Sequence, residues 1–97
     1  MESKKTVILD LTDCKYLGEL HERIRVAFDF PEWYGANWDA FWDLLRSECD
    51  ADKLEIAGIE TLPKEFDNQI ETMKYVLEMF KNNCKKYDEI FEYEIIS

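Results

Sequence analysis

Two stretches of helical period separate the first strand-like run, Thr6–Leu11 (T-V-I-L-D-L), from the next, and that order restricts the fold more than any other feature. The run is β-branched and nearly continuous in apolar residues, as a buried strand would be. From Tyr16 to Phe28, Leu17, Leu20, Ile24 and Phe28 recur at helical spacing. Glu19, Glu22, Arg23 and Arg25 fall between them, which predicts an amphipathic helix. Pro31 ends that unit, and P-E-W-Y-G-A-N follows as a loop. Asn37 is a good N-cap for a second helix over Trp38–Glu48, whose core stripe is Trp38, Phe41, Leu44 and Leu45. Asp50–Lys53 breaks the pattern. Leu54, Ile56 and Ile59 suggest a second strand, weakened by Gly58. The segment T-L-P-K-E-F-D-N suggests a short helical turn, and Asp67 or Asn68 can cap a longer helix. In that helix Ile70, Met73, Leu77, Phe80 and Cys84 keep a strong helical period. Ile90–Ile96 alternates as a strand, with Phe91, Tyr93 and Ile95 on one face and Glu92 and Glu94 on the other. Strands joined through helices favour a parallel sheet with right-handed crossovers. The expectation is an α/β fold in one domain over residues 1–97, a three-stranded parallel sheet packed with about four helices.

Charge gives the first hint of function. The chain of 97 residues carries 22 acidic against 12 basic side chains, a formal net charge of −10. Such a domain is repelled by nucleic acid and by anionic membranes, and its preferred partners are cationic. Simple solubility explains the same charge equally well. Cys14, Cys49 and Cys84 are odd in number and widely spaced, so they form no disulfide framework and no C-x-x-C motif. Reduced thiols fit a reducing compartment. Glu2, Lys4 and Lys5 leave no room for a secretory apolar region, and no run is long enough to span a bilayer. The expected location is the cytoplasm. A lone histidine, His21, rules out a His-rich metal site and reads as structural, and the cysteines read as core or boundary residues. No Gly-rich phosphate loop is present, so no cofactor is expected.

The richest stretch is P-E-W-Y-G-A-N-W-D-A-F-W-D-L-L, Pro31–Leu45, which holds all three tryptophans. At about 100° per residue, Asp39, Asp43 and Arg46 share the helix face opposite Phe41, Leu44 and Leu45. Trp42 lies at the border of the two faces. Asp39 and Asp43 are one turn apart, a like-charge pair that slightly destabilises a lone helix. The helix dipole compensates Asp39 more than Asp43. A helix that keeps such a pair beside aromatics can be keeping it for a partner, because aromatics and buried charges make interface hot spots. An ordinary solvated face, with Arg46 paired to Asp43, accounts for the same residues.

This block resembles the core signature of the barstar family of ribonuclease inhibitors, Pro-x-aromatic-Tyr-Gly-x-Asn-hydrophobic-Asp-Ala-hydrophobic-Trp-Asp, with unbroken spacing. A weaker resemblance extends over the whole chain, in Leu20-His21, Val76-Leu77, Phe80 and the closing E-I-I-S. The resemblance implies three parallel strands with about four helices. It also implies that the loop and second helix cover a ribonuclease active site. Asp43 then corresponds to the carboxylate that enters the catalytic phosphate site, and Asp39 to one that contacts the basic rim. Trp33 stands at the aromatic position that packs on the catalytic histidine. Gly35 and Asn37 match loop contacts, and Trp42 matches a flanking aromatic. Three departures stand out. Arg46 puts a cation on the acidic face. Asn82 aligns with an outlying acidic contact of the family. Trp33 replaces the commoner tyrosine. The implied partner is a basic secreted ribonuclease, met by a free monomer inside the producing cell, with no role for nucleic acid or membrane. Two other functions fit the composition: an acidic adaptor for another basic protein or toxin, and an enzyme using Asp39 and Asp43 as an acid–base pair. The enzyme reading suffers from placing both carboxylates on a convex helix face without a pocket.

Overall fold

The computed structural model describes residues 5–49 and 51–96. Glu2 and Lys4 near the N-terminus, Asp50 of the break and the terminal Ser97 lie outside the described residues. The chain runs β1 (Thr6–Asp10), α1 (Leu17–Phe28), α2 (Trp38–Glu48), β2 (Lys53–Ala57), α3 (Asp67–Lys86) and β3 (Glu92–Ile95). The strands form one sheet in the order β1-β2-β3, and both pairings are parallel. The α/β class and the three-stranded parallel sheet match the expectation. Three α-helices stand among the described residues where about four were expected. Between β2 and α3 the chain makes only two single 3-10 turns, Ile59–Thr61 and Lys64–Phe66. Pro63 separates them with an extended backbone, so neither can grow into a helix.

The pleat sets which side chains reach the core. Val7, Leu9, Leu54 and Ile56 are buried on one face, in register across β1 and β2. Thr6, Ile8 and Asp10 point to the other face, and Ile8 is 60% exposed. The near-continuous apolar run suggests a strand buried throughout. It is instead buried on one face only, since the core cluster lies on that side. The open face carries a polar lattice: Lys53 Nζ reaches Glu55 at 3.5 Å and Glu94 at 3.4 Å, and Lys81 reaches Glu92 at 3.4 Å. Charges of this kind discourage sheet-to-sheet association.

The helices bury the stripes their sequences announce. α1 buries Leu20, His21, Ile24 and Phe28, and α3 buries Ile70, Met73, Val76, Leu77, Phe80 and Cys84. α2 buries Phe41, Leu44 and Leu45, while Trp38 is half-buried and donates its indole N–H to Gln69 Oε1 of α3 at 2.8 Å. Two boundaries differ from expectation. Asp67 and Asn68 are the sequence's candidates to cap α3, but Phe66 holds the cap position in a helical conformation with no side-chain cap. The preceding 3-10 turn, closed by Phe66 N–H to Pro63 C=O at 3.0 Å, feeds straight into the helix and makes a separate cap unnecessary. The apolar pattern groups Ile59 with the second strand, but β2 ends at Ala57.

Gly58 causes that ending. Its φ is +84°, and a Cβ there would lie 2.3 Å from the Thr12 backbone nitrogen. The strand therefore stops where β2 passes under the turn after β1. Gly58→Ala combines left-handed strain with a backbone clash, and should cost about 3 kcal/mol of stability. Urea unfolding of the two proteins measures this directly.

Candidate functional site

The loop between α1 and α2 rests on an aromatic bed. Asp29 ends α1 in the left-handed conformation, φ 59°, and the Phe30 N–H donates to Arg25 C=O at 2.9 Å. Phe28 and Phe30 then stack at 5.1 Å between ring centroids, and Phe41 of α2 meets both edge-on. Tyr34 turns inward after Pro31, its N–H bonded to Pro31 C=O at 3.0 Å. Its hydroxyl lies 2.7 Å from Nδ1 of His21. His21 is 2% exposed, and its ring lies 4.5 Å from Trp38. One α1 side chain thus pins both the loop and the first residue of α2.

The turn into α2 is equally constrained. Ala36 takes a left-handed conformation, φ 53°, unusual for a residue with a Cβ. Asn37 caps the helix as expected, its Oδ1 accepting the Ala40 N–H at 2.7 Å. Its Nδ2 donates back to Gly35 C=O at 3.1 Å. A Cβ on Gly35 would lie 3.2 Å from that Nδ2, so a side chain there would crowd the cap. Asn37 therefore fixes the helix start and the loop with one amide.

This anchoring leaves one surface outward. Trp33 is 73% exposed. Gly35, Asn37, Asp39 and Asp43 are exposed, and Trp42 is half-buried against the core. All six sequence-selected residues lie on the loop and α2, and all but Trp42 are exposed. Asp39 makes no ion pair or side-chain hydrogen bond with a described residue. Asp43 accepts from Arg46 at 3.2 Å, in a pair whose aspartate side chain stays 69% exposed. The Arg46 guanidinium also lies over the Trp42 ring, 5.0 Å from its centroid. Both aspartates project into solvent from the same helix. Asn82 is exposed on α3, and Glu78 is engaged by the Tyr93 hydroxyl at 2.8 Å.

Sequence reasoning names His21 as structural, and its burial agrees. It does not find that His21 holds Tyr34, nor that Gln69 holds Trp38. The one signal for the first is an aromatic inside a loop, which needs burial somewhere. Cys14 and Cys84 are buried and Cys49 is half-buried, and none of the three is in a disulfide among the described residues. Burial pushes the Cys14 and Cys84 thiols up, as it does the Tyr34 phenol. No helix among the described residues is long and apolar enough to cross a membrane.

Burial also pushes His21 below its ordinary value of 6.5, favouring the neutral ring. The unfolded chain then takes up a proton near pH 6.5 that the folded one refuses. The stability from this residue is complete above that pH and declines as pH falls below it. His21→Gln should flatten the slope of stability against pH below about 6.5. Urea titrations at several pH values give the measurement; an unchanged slope would remove His21 from this role.

Comparisons with known proteins identify the family. A family model described as barstar, the barnase inhibitor, matches residues 4–96. A Bacillus subtilis (strain 168) protein, YrdF, which carries the provisional name of ribonuclease inhibitor, is 37% identical over 46 residues. That match covers 47% of this chain and 50% of the relative, so it spans about half of each. The family match takes in all three strands and the Pro31–Leu45 block, and the chain belongs to the barstar family.

Proposed function

We propose that this chain is an intracellular inhibitor of a basic secreted ribonuclease, whose active site it blocks with Trp33, Gly35, Asn37, Asp39, Trp42 and Asp43. The observation that carries the reading is the pair Asp39 and Asp43, both exposed on one face of a helix whose start is capped and packed. A ribonuclease must hold phosphate among cationic side chains. A carboxylate on a rigid helix can take the phosphate's place and accept charge-assisted, often bidentate bonds. Rigidity matters because ordering a loop on binding would subtract from affinity. The His21–Tyr34 contact and the Asn37 cap have already fixed this one.

The net charge of −10 adds long-range attraction to a basic enzyme. Barnase with barstar is the reference case for such steering, and the expectation is borrowed from it. Trp33 offers a flat apolar face at the same surface, the residue type found in interface hot spots. On this reading the chain acts as a free monomer in the cytoplasm of the producing cell, without cofactor or catalysis of its own.

The test is a titration into barnase and other basic secreted microbial ribonucleases. Wild type should inhibit at least one tightly and less so as salt rises. Asp43→Ala should weaken that inhibition by about 2 to 4 kcal/mol, with folding unchanged because the side chain is exposed. Binding that leaves RNA cleavage intact would favour an acidic adaptor instead. Equal inhibition by wild type and variant would remove Asp43 from the contact.

A further inference from the structure

Arg46 sits where a purely cationic cleft would not want it. Its charge lies on the acidic face, bonded to Asp43 and stacked on Trp42. Helix-end electrostatics account for a cation in the last turn of α2, but not for this arrangement. Arg46 reaches back to Asp43 instead of forward to the helix C-terminus. The nearby carbonyls are served by others: Asp43 C=O accepts from the Ser47 hydroxyl at 3.0 Å, and Leu44 C=O from the Cys49 N–H at 3.2 Å. A lysine or a free-swinging side chain would satisfy the dipole as well.

The arrangement instead holds a guanidinium ready for use. The cation–π contact with Trp42, 5.0 Å from guanidinium carbon to ring centroid, restrains the fork. A single N–H bond to Asp43 Oδ1 occupies one corner of it, and the side chain remains 48% exposed. Among the described residues the rest of the fork meets no acceptor. Only Oδ1 of Asp43 is engaged by a side chain among the described residues. An exposed pair of this kind is weak and easily exchanged. The surface presents a carboxylate and a guanidinium side by side, and its best complement is a cation beside a carboxylate.

We infer that Arg46 is a specificity residue of this surface, pairing with a carboxylate that borders the phosphate-binding cations of the target ribonuclease. This rests on the inhibitor reading. The internal Asp43–Arg46 pair is then traded for two intermolecular ones. A ribonuclease with only cations at that border meets an unpaired arginine and is rejected.

The experiment uses whichever basic secreted ribonuclease of the panel wild type inhibits most tightly. Inhibition constants are measured for Asp43→Ala, Arg46→Ala, Arg46→Lys and Arg46→Glu, each checked for folding by far-ultraviolet circular dichroism. Arg46→Ala should weaken inhibition about tenfold and Arg46→Glu about a hundredfold or more. Arg46→Lys should lie between wild type and Arg46→Ala, because it keeps the charge and loses the fork. Neutralising the border carboxylates of the ribonuclease one at a time should find one that couples to Arg46, so that the double variant loses no more than a single one. If Asp43→Ala weakens inhibition while Arg46→Ala leaves it unchanged or tightens it, the inference is overturned and the inhibitor reading stands. A panel of border variants in which no carboxylate couples to Arg46 overturns the inference in the same way. If wild type inhibits no ribonuclease of the panel, both fail together.

Discussion

The contact between Tyr34 and His21 is the constraint on which the candidate surface depends. A loop that carries Trp33, Gly35 and Asn37 outward must be tied down elsewhere, and Tyr34 is the residue that turns inward to do it. Its hydroxyl finds an acceptor or donor in the buried imidazole, so neither polar atom is stranded in the core. The same imidazole packs on Trp38, where α2 begins. Phe28, Phe30 and Phe41 fill the space around them. Loop and helix are thereby referenced to α1, and α1 to β1, so a short connection acquires the rigidity of the core. Binding by a surface of this kind costs little ordering.

Carboxylates on different elements have different partners. The open side of the sheet engages its carboxylates internally, with Lys53 and Lys81. α1 does the same, with Arg23 on Glu19 at 2.9 Å and Arg25 on Glu22 at 2.6 Å. On α2, Asp39 has no such partner among the described residues, and Asp43 has only the exposed Arg46. Several carboxylates of the sheet and of α1 are thus ion-paired while Asp39 is not, although Glu60, Glu65 and Asp67 also lie exposed outside these ion pairs. Net charge alone gives attraction without direction; a rigidly held pair of carboxylates on α2 gives it a point of contact.

Much of this was legible in the sequence because it rests on period and local chemistry. The stripe from Ile70 to Cys84 follows helical period, and Asn37 caps through its own next turn. The order of strands and helices carried the parallel sheet. The exposure of Asp39 and Asp43 followed from helix geometry once α2 was placed. What escaped the sequence was set by contacts between distant segments. The end of β2 depends on how closely Gly58 approaches Thr12, far from it along the chain. The start of α3 depends on a 3-10 turn that makes side-chain capping unnecessary. The one-sided burial of β1 depends on where the helices lie, which an apolar run cannot report. The pairing of His21 with Tyr34 joins a helix to a loop, and no periodicity links the two.

If carboxylates of α2 occupy the place of RNA phosphate in a ribonuclease, the chain and a small phosphate ligand must exclude each other. An equilibrium competition between this chain and a nucleoside 3′-monophosphate for the same ribonuclease tests this most directly. Mutually exclusive binding, with the chain's apparent affinity falling in proportion to nucleotide occupancy, is the predicted result. A ternary complex in which nucleotide and chain bind together at undiminished affinity would contradict it.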